Sequence, residues 1–147
     1  MLSRRGLRPA LAALARHSPI PVGLEIDLDE RPPEAVETAV YYAVAEALAN
    51  ASKHSNASTI SVTIATDHAG GPFAIDLGGR RAAVHLHATI ADDGDGGAEQ
   101  IAGSGLMGLA DRIDVLGGRF VLESPVGHGT TVSVVLPLAP PPAPLLS

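Results

Sequence analysis

The residues with the clearest chemical content form a polar stripe along one predicted helix. Its members fall at positions i, i+4, i+7 and i+8 and so project from one face: Glu46, Asn50, Lys53 and His54. Asn50 offers a neutral oxygen that a hard cation such as Mg²⁺ accepts, and Lys53 offers a positive charge for phosphate oxygens. The stripe indicates either the wall of a phosphate-binding cleft or a solvated helix face on which Glu46 and Asn50 form one ordinary i,i+4 side-chain pair.

A second pattern, Asp92-x-Gly94-x-Gly96, directly follows a strand-like run. A carboxylate at a strand end can accept a hydrogen bond from an exocyclic amine such as that of adenine, and the glycines let the backbone turn sharply against a planar ring. The alternatives are an acidic hairpin turn and a Ca²⁺ loop. The EF-hand spacing fails, because a strand enters the loop and no Glu stands at loop position 12.

A glycine-rich string over 103–108, Gly-Ser-Gly-Leu-Met-Gly, opens another predicted helix. Free N–H groups at a helix N-terminus bind phosphate, and glycine allows the close approach. The string also reads G-x-G-x-x-G, but the dinucleotide fold requires the first glycine to follow a strand directly. A polar stretch precedes Gly103 instead. Phosphate binding is therefore favoured over a Rossmann fold.

Two weaker signals lie on the strands. Gly127-His128-Gly129-Thr130 reads as a hairpin turn between the last two strands, and it could also press against the phosphate loop. His85 and His87 project from the same face of one strand, which fits a metal pair or, more simply, a polar sheet face. The sequence shows no third ligand that would favour the metal pair.

Hydrophobic periodicity defines the elements that must position these residues. Helices are predicted over 7–17, 34–55 and 105–116, and strands over 22–27, 60–64, 73–77, 84–90, 119–124 and 130–136. This order predicts an α+β fold, a two-layer sandwich of one mixed sheet covered on one face by helices. We expect one domain over residues 1–138, followed by a disordered Pro-rich tail over 139–147.

Composition limits the function classes. The net charge of −6 argues against nucleic acid as a partner, because nucleic-acid binders carry a clustered basic face. The absence of cysteine excludes disulfides and thiolate chemistry. No apolar run approaches the roughly 20 residues of a membrane span, and the first residues lack a signal peptide's apolar core. We expect a cytoplasmic chain, or the cytoplasmic part of a membrane-bound sensor, without direct membrane contact.

Taken in order, these patterns resemble the N, G1, G2 and final glycine boxes of the GHKL ATPases, which share the Bergerat ATP-binding fold. The boxes are Glu46-x-x-x-Asn50-x-x-Lys53-His54, Asp92-x-Gly94-x-Gly96, the stretch from Gly103 to Arg112, and Gly127-x-Gly129-Thr130. The runs 105–118 and 129–137 are similar to those of the sensor histidine kinases that partner NarL- and DesK-type systems. The resemblance covers about residues 7–138.

The resemblance implies a role for each box. Asp92 would bind the adenine amine in a pocket shaped by Gly94 and Gly96, with Thr130 nearby. Asn50 would hold Mg²⁺, and Lys53 and His54 would approach the phosphates of ATP. The phosphate end would be edged by residues at the start of the third helix: Gly103, Gly105, Leu106 and Gly108. The segment 97–104 would be a short ATP lid.

The implied function is that of the catalytic domain of a two-component sensor histidine kinase. It would bind Mg-ATP and transfer the γ-phosphate to a histidine on a separate dimerisation and phosphoacceptor domain, with a response regulator as an indirect partner. No histidine of this chain fits the acceptor, so the chain is expected to be a fragment or to act on another chain. Glu46 could orient or deprotonate the acceptor. The alternatives are a slow GHKL-type ATPase, in which Glu46 activates water, and a stand-alone anti-sigma-factor serine kinase.

Overall fold

The computed structural model describes residues 6–28, 31–54, 56–68, 83–95 and 105–138, with the backbone alone at 54, 68, 83–84 and 105–107. The described part contains three helices and five strands. The helices are α1 (Leu7–His17), α2 (Glu34–His54) and α3 (Gly105–Val115). The strands are β1 (Val22–Asp27), β2 (Ile60–His68), β3 (Ala83–Asp92), β4 (Arg119–Glu123) and β5 (Thr130–Pro137).

The strands form one mixed sheet in the order β1-β2-β3-β5-β4. β1 runs parallel to β2, and every other neighbouring pair is antiparallel. The register sets Ile60 opposite both Val22 and Asp92, and Asp92 opposite Thr130. The start of β2, the end of β3 and the start of β5 therefore share one edge of the sheet.

One face of the sheet is buried under the helices and the other is not. Every second residue of the central strands is buried, for example Val62, Ala88 and Val134, whereas Ser61 and Thr63 on the opposite face are exposed. This period-2 burial is what an antiparallel sheet with one covered face requires. The predicted two-layer α+β sandwich is confirmed.

Helix α2 is the central element of the helical layer. Alanines recur at every fourth position along its buried side, and none is more than 6 % exposed: Ala39, Ala43, Ala47 and Ala51. Small side chains on one face let the helix lie close to the sheet, while Val40 and Val44 fill the spaces beside it. Asn56 follows the helix with a φ of 54°, the left-handed conformation that ends many helices.

A part-buried ion pair joins α2 to the segment before it, with the carboxylate of Glu37 buried and the side chain of Arg31 half exposed. Glu37 on α2 is 1 % exposed, and its carboxylate accepts two hydrogen bonds from Nε of Arg31 at 3.1 and 3.2 Å. Glu34 and Glu37 also lie in the first turn of α2, where negative charge is favourable to the helix dipole. Pairing and helix position together explain why a carboxylate is tolerated there.

The predicted elements match the described ones closely. α1 and β1 have their predicted bounds, α2 and α3 each end one residue early, and β2 continues four residues beyond 64. The predicted strand 73–77 and the predicted tail 139–147 lie outside the described residues. No helix in the described ranges is long and apolar enough to cross a membrane.

Candidate functional site

Three segments converge at the sheet edge where β2 begins. Asp92 lies two residues after buried Ile90 on β3, and Thr130 lies two residues before buried Val132 on β5. Because alternate residues of a strand share a face, both side chains face the helical layer. Only residues 55–59 separate the end of α2 from Ile60 at this edge. The connection from the end of α2 to this edge is therefore short.

Asp92 is the last residue of β3, two residues beyond the predicted end of that strand, and its carboxylate organises the turn that follows. The buried Gly94 donates its backbone N–H to Oδ1 of Asp92 at 2.9 Å. Among the described residues no hydrogen bond to Oδ2 is seen, which leaves that oxygen as an acceptor for a ligand. Gly96 lies outside the described residues.

Asp93 is a residue of the site to which the sequence patterns assign no role. Its Oδ1 accepts the backbone N–H groups of Ser58 at 2.7 Å and Thr59 at 2.9 Å. The hydrogen bonds from Thr59 and then Ser58 lower the pKa of the Asp93 carboxyl below its ordinary 3.8. Asp93 therefore fastens the end of β3 to the segment that joins α2 to β2.

The turn between β4 and β5 supports the same loop from the other side. Gly129 has a φ of 78°, and its Cα lies so close to the backbone carbonyl of Asp92 that a β-carbon would overlap it. Gly127 donates its N–H to the carbonyl of Asp95 at 2.6 Å. The predicted hairpin between β4 and β5 is confirmed, and it packs on residues 92–95, whereas most of the phosphate loop on which it could also press lies outside the described residues.

Thr130 is 3 % exposed, and its Oγ1 lies 2.6 Å from Oγ of Ser124. Its predicted position near Asp92 is confirmed, because the two residues are partners in the ladder between β3 and β5. The hydroxyl pair holds the side chain of Thr130 where the two strands meet.

The polar stripe of α2 runs along the C-terminal half of the helix. Glu46 and Asn50 are half-buried, and Lys53 is exposed. Glu46 shares a cavity of about 220 Å³ with Tyr42 of its own helix and with Gly108 and Arg112 of α3. The guanidinium of Arg112 stands 5.0 Å from the ring centre of Tyr42, within cation–π range. Within the stripe, Glu46 therefore borders α3.

Several residues of the phosphate end are described only in part. His54 is the last residue of α2, and Gly105 and Leu106 begin α3, each as backbone alone. Gly103 and the predicted lid over 97–104 lie outside the described residues. The start of α3 at Gly105 agrees with the predicted placement of the glycine string at a helix N-terminus.

His85 and His87 share a sheet face, as predicted, and both contact Asp67 on β2. Nε2 of His87 lies 2.8 Å from Oδ2 of Asp67, and Nδ1 of His85 lies 3.4 Å from Oδ1. In the described part of the chain no three such side chains form a group able to hold a metal ion. The contacts of both imidazoles with Asp67 are those of a polar sheet face.

Comparison with known proteins agrees with this geometry. Residues 35–140 match the family described as histidine kinase-, DNA gyrase B-, and HSP90-like ATPase. The chain is 29 % identical over 103 residues to sensor histidine kinase YdfH of Bacillus subtilis, covering 67 % of this chain and 22 % of YdfH. It is 30 % identical over 141 residues to the signal transduction histidine-protein kinase/phosphatase DegS of Brevibacillus brevis, covering 90 % of this chain and 33 % of DegS. The chain thus spans a third or less of these relatives.

Solved structures show the same fold. The ATP binding domain of PrrB from Mycobacterium tuberculosis superimposes with a TM-score of 0.57 at 22 % identity, covering 91 % of this chain and 92 % of that domain. The histidine kinase domain of the blue-light activated histidine kinase EL346 from Erythrobacter litoralis gives 0.57 at 21 % identity, covering 88 % of this chain and 56 % of that one. Because the family model matches residues 35–140, most of the chain, the chain belongs to the family of histidine kinase-, DNA gyrase B-, and HSP90-like ATPases, and the relatives named above are sensor histidine kinases.

Proposed function

We propose that this domain binds Mg-ATP at the sheet edge and presents the γ-phosphate to a histidine on a phosphoacceptor domain, in the same chain or in another. The observation that supports this most directly is the state of Asp92. One carboxylate oxygen accepts the N–H of Gly94, and the other has no hydrogen-bond partner among the described residues. A fixed carboxylate with one open oxygen suits an adenine amine, and it repels the carbonyl that guanine carries at the same position.

The chemistry of α2 fits the phosphate end of the nucleotide. Asn50 would supply an oxygen to Mg²⁺, and Lys53 would supply a positive charge to the phosphates. The metal would neutralise charge on the phosphate oxygens. The backbone N–H groups at the start of α3, from Gly105 onward, would add further donors for the phosphates.

The protein's contribution to transfer would be positioning and charge stabilisation. The acceptor imidazole loses a proton as its nitrogen takes the phosphoryl group, and ADP leaves. Glu46 lies one helical turn before Asn50 and opens onto the cavity beside Gly108, so it is the side chain placed to orient the imidazole or accept that proton. Since ATP is the phosphate donor, the cytoplasm is the proposed site of action.

Titration calorimetry with ATP, with and without Mg²⁺, tests the binding step. Replacing Asp92 by Ala removes one charged hydrogen bond, so we expect about 10- to 100-fold weaker ATP binding. GTP affinity should change less, because guanine offers Asp92 no amine at that position. Equal ATP binding by the unaltered chain and Asp92→Ala would contradict an adenine pocket at this edge.

The transfer step is tested by adding a histidine-bearing hairpin domain and ATP labelled at the γ-phosphate. Acid-labile label on the hairpin supports the proposal. Acid-stable label on an added protein would indicate the serine-kinase alternative, and release of inorganic phosphate alone would indicate the ATPase alternative. A response regulator enters only after the first transfer, so it is left out of this assay.

A further inference from the structure

Asp93 joins two segments that are far apart in the sequence. Its Oδ1 accepts N–H groups from Ser58 and Thr59, which lie 35 and 34 residues earlier. The backbone N–H of Asp93 also points to the carbonyl of Thr59 at 3.4 Å. The two hydrogen bonds to Oδ1 come from backbone N–H groups, so Asp93 holds the main chain itself, and the side chain of Thr59 adds a further hydrogen bond to the carboxylate.

The two joined segments carry the two halves of the proposed nucleotide site. On one side, Asp93 lies between Asp92 and Gly94, the residues that form the proposed adenine contact. On the other side, residues 58–59 lead back within a few residues to Lys53 and Asn50 on α2. The hydrogen bonds of Asp93 thus connect the segment that carries the proposed adenine contact to the segment that carries the proposed phosphate contacts.

The other contacts of the loop over residues 92–95 do not fix it against the start of β2, so that this attachment depends on Asp93. The β4–β5 turn supports the backbone of Asp92 and the carbonyl of Asp95, both from the β5 side. On the β2 side, the ladder ends at the pair of Ile60 with Asp92. Beyond that pair, Asp93 supplies the contacts between the loop and the α2–β2 connection that the described residues show.

We propose that Asp93 is a positioning residue for adenine recognition: by fastening residues 58–59 to the end of β3, it aims the open oxygen of Asp92 at the adenine amine. This inference rests on the proposed function, since it assumes that Asp92 reads the base. Asp93 itself touches no nucleotide in this scheme. Its effect is on base selectivity, and a purely structural role would leave selectivity unchanged.

The test compares ATP and GTP affinities by calorimetry in the unaltered domain, Asp93→Ala, Asp93→Asn and Asp95→Ala. For Asp93→Ala we expect ATP binding about tenfold weaker, with the ATP-to-GTP preference reduced by a similar factor. Asp93→Asn keeps an acceptor oxygen in the same place and should restore most of the preference. Asp95→Ala removes a negative charge from an exposed position two residues after Asp93 and keeps the backbone carbonyl. Its ATP-to-GTP preference should therefore be unchanged.

Each outcome discriminates. An unchanged ATP-to-GTP preference in Asp93→Ala would overturn the positioning role, and so would an Asp93→Asn variant as unselective as Asp93→Ala. The proposed function would still stand in either case, provided that Asp92→Ala bound ATP more weakly than the unaltered domain. If Asp92→Ala bound ATP normally, the proposed function would fail and the inference with it. Should Asp93→Ala not fold, Asp93→Glu replaces it. That variant keeps the charge but displaces the acceptor by one methylene, and unchanged selectivity in it would equally overturn the proposal.

Discussion

The site edge of the sheet, where β2 begins and β3 ends, and the opposite edge, where β2 ends and β3 begins, carry carboxylates that are held in different ways. They are called the Asp92 end and the Asp67 end below. At the Asp92 end, the carboxylates of Asp92 and Asp93 bond to backbone N–H groups that the fold itself fixes. At the other end, Asp67 accepts one backbone N–H from His85 and otherwise pairs with two imidazoles on a surface where the side chains are 42–46 % exposed.

This difference separates preorganised polar groups from ordinary surface pairs. A carboxylate held by main-chain donors is already ordered before a ligand arrives, so little additional entropy is lost on binding. A pair of exposed side chains loses rotamer freedom to form, and its attraction is screened by water and salt. The Asp92 end should therefore be sensitive to substitution, and the Asp67 end should tolerate it.

The largest effect is expected from Gly129→Ala. Its φ of 78° disfavours any β-carbon, and here that carbon would also overlap the carbonyl of Asp92. We expect a loss of about 3 kcal/mol in the free energy of unfolding, measured by urea denaturation, together with weaker ATP binding.

Gly127→Ala is the matched control, because Gly127 has a φ of 83° but open space around its Cα. It should show the backbone strain alone, about 1 kcal/mol. Equal losses in the two variants would mean that the close approach to Asp92 contributes nothing, and the support ascribed to this turn would be withdrawn.

Much of this fold was readable from local patterns. Helical spacing placed α2 within one residue of its observed end, and alternation placed Asp92 at the end of a buried strand. The string Gly127-x-Gly129 marked the turn between the last two strands, because few other residues adopt the positive φ found at both glycines. These are short-range properties, and a single sequence displays them directly.

The contacts that order the site were not readable in this way. Asp93 meets Ser58 across 35 residues, and Asp67 meets His87 across 20. Such pairs depend on strand register, and here the register also shifts between Asp67 and His68. Sequence alternation showed that His85 and His87 share a face, but only the register reveals the carboxylate opposite them.

A smaller effect is expected from breaking the hydroxyl pair beside Asp92. Thr130→Val removes the hydroxyl that lies 2.6 Å from Oγ of Ser124 while nearly preserving the buried volume. The expected loss is about 1 kcal/mol in the free energy of unfolding. A double-mutant cycle with Ser124→Ala isolates the pair, and a coupling energy near zero would show that this contact does not order the β5 end of the site.

The smallest effect is expected at the opposite end, from Asp67→Asn. Burial on its own would raise the pKa of Asp67, but the hydrogen bonds from His87 and the backbone of His85, with the positive charge of the imidazoles, together lower the pKa below its ordinary 3.8. A lowered carboxyl pKa in the folded state stabilises the fold above pH 3.8, and this contribution is lost as the pH falls through the folded-state pKa.

Because the pair is half exposed, its screened contribution should be under about 0.5 kcal/mol at neutral pH and should shrink in high salt. Urea denaturation of both proteins from pH 7 to acid measures it, with ATP affinity as the second readout. A loss comparable to that of Gly129→Ala, or weaker ATP binding in Asp67→Asn, would show that the Asp67 end is as constrained as the Asp92 end and would break the distinction between them.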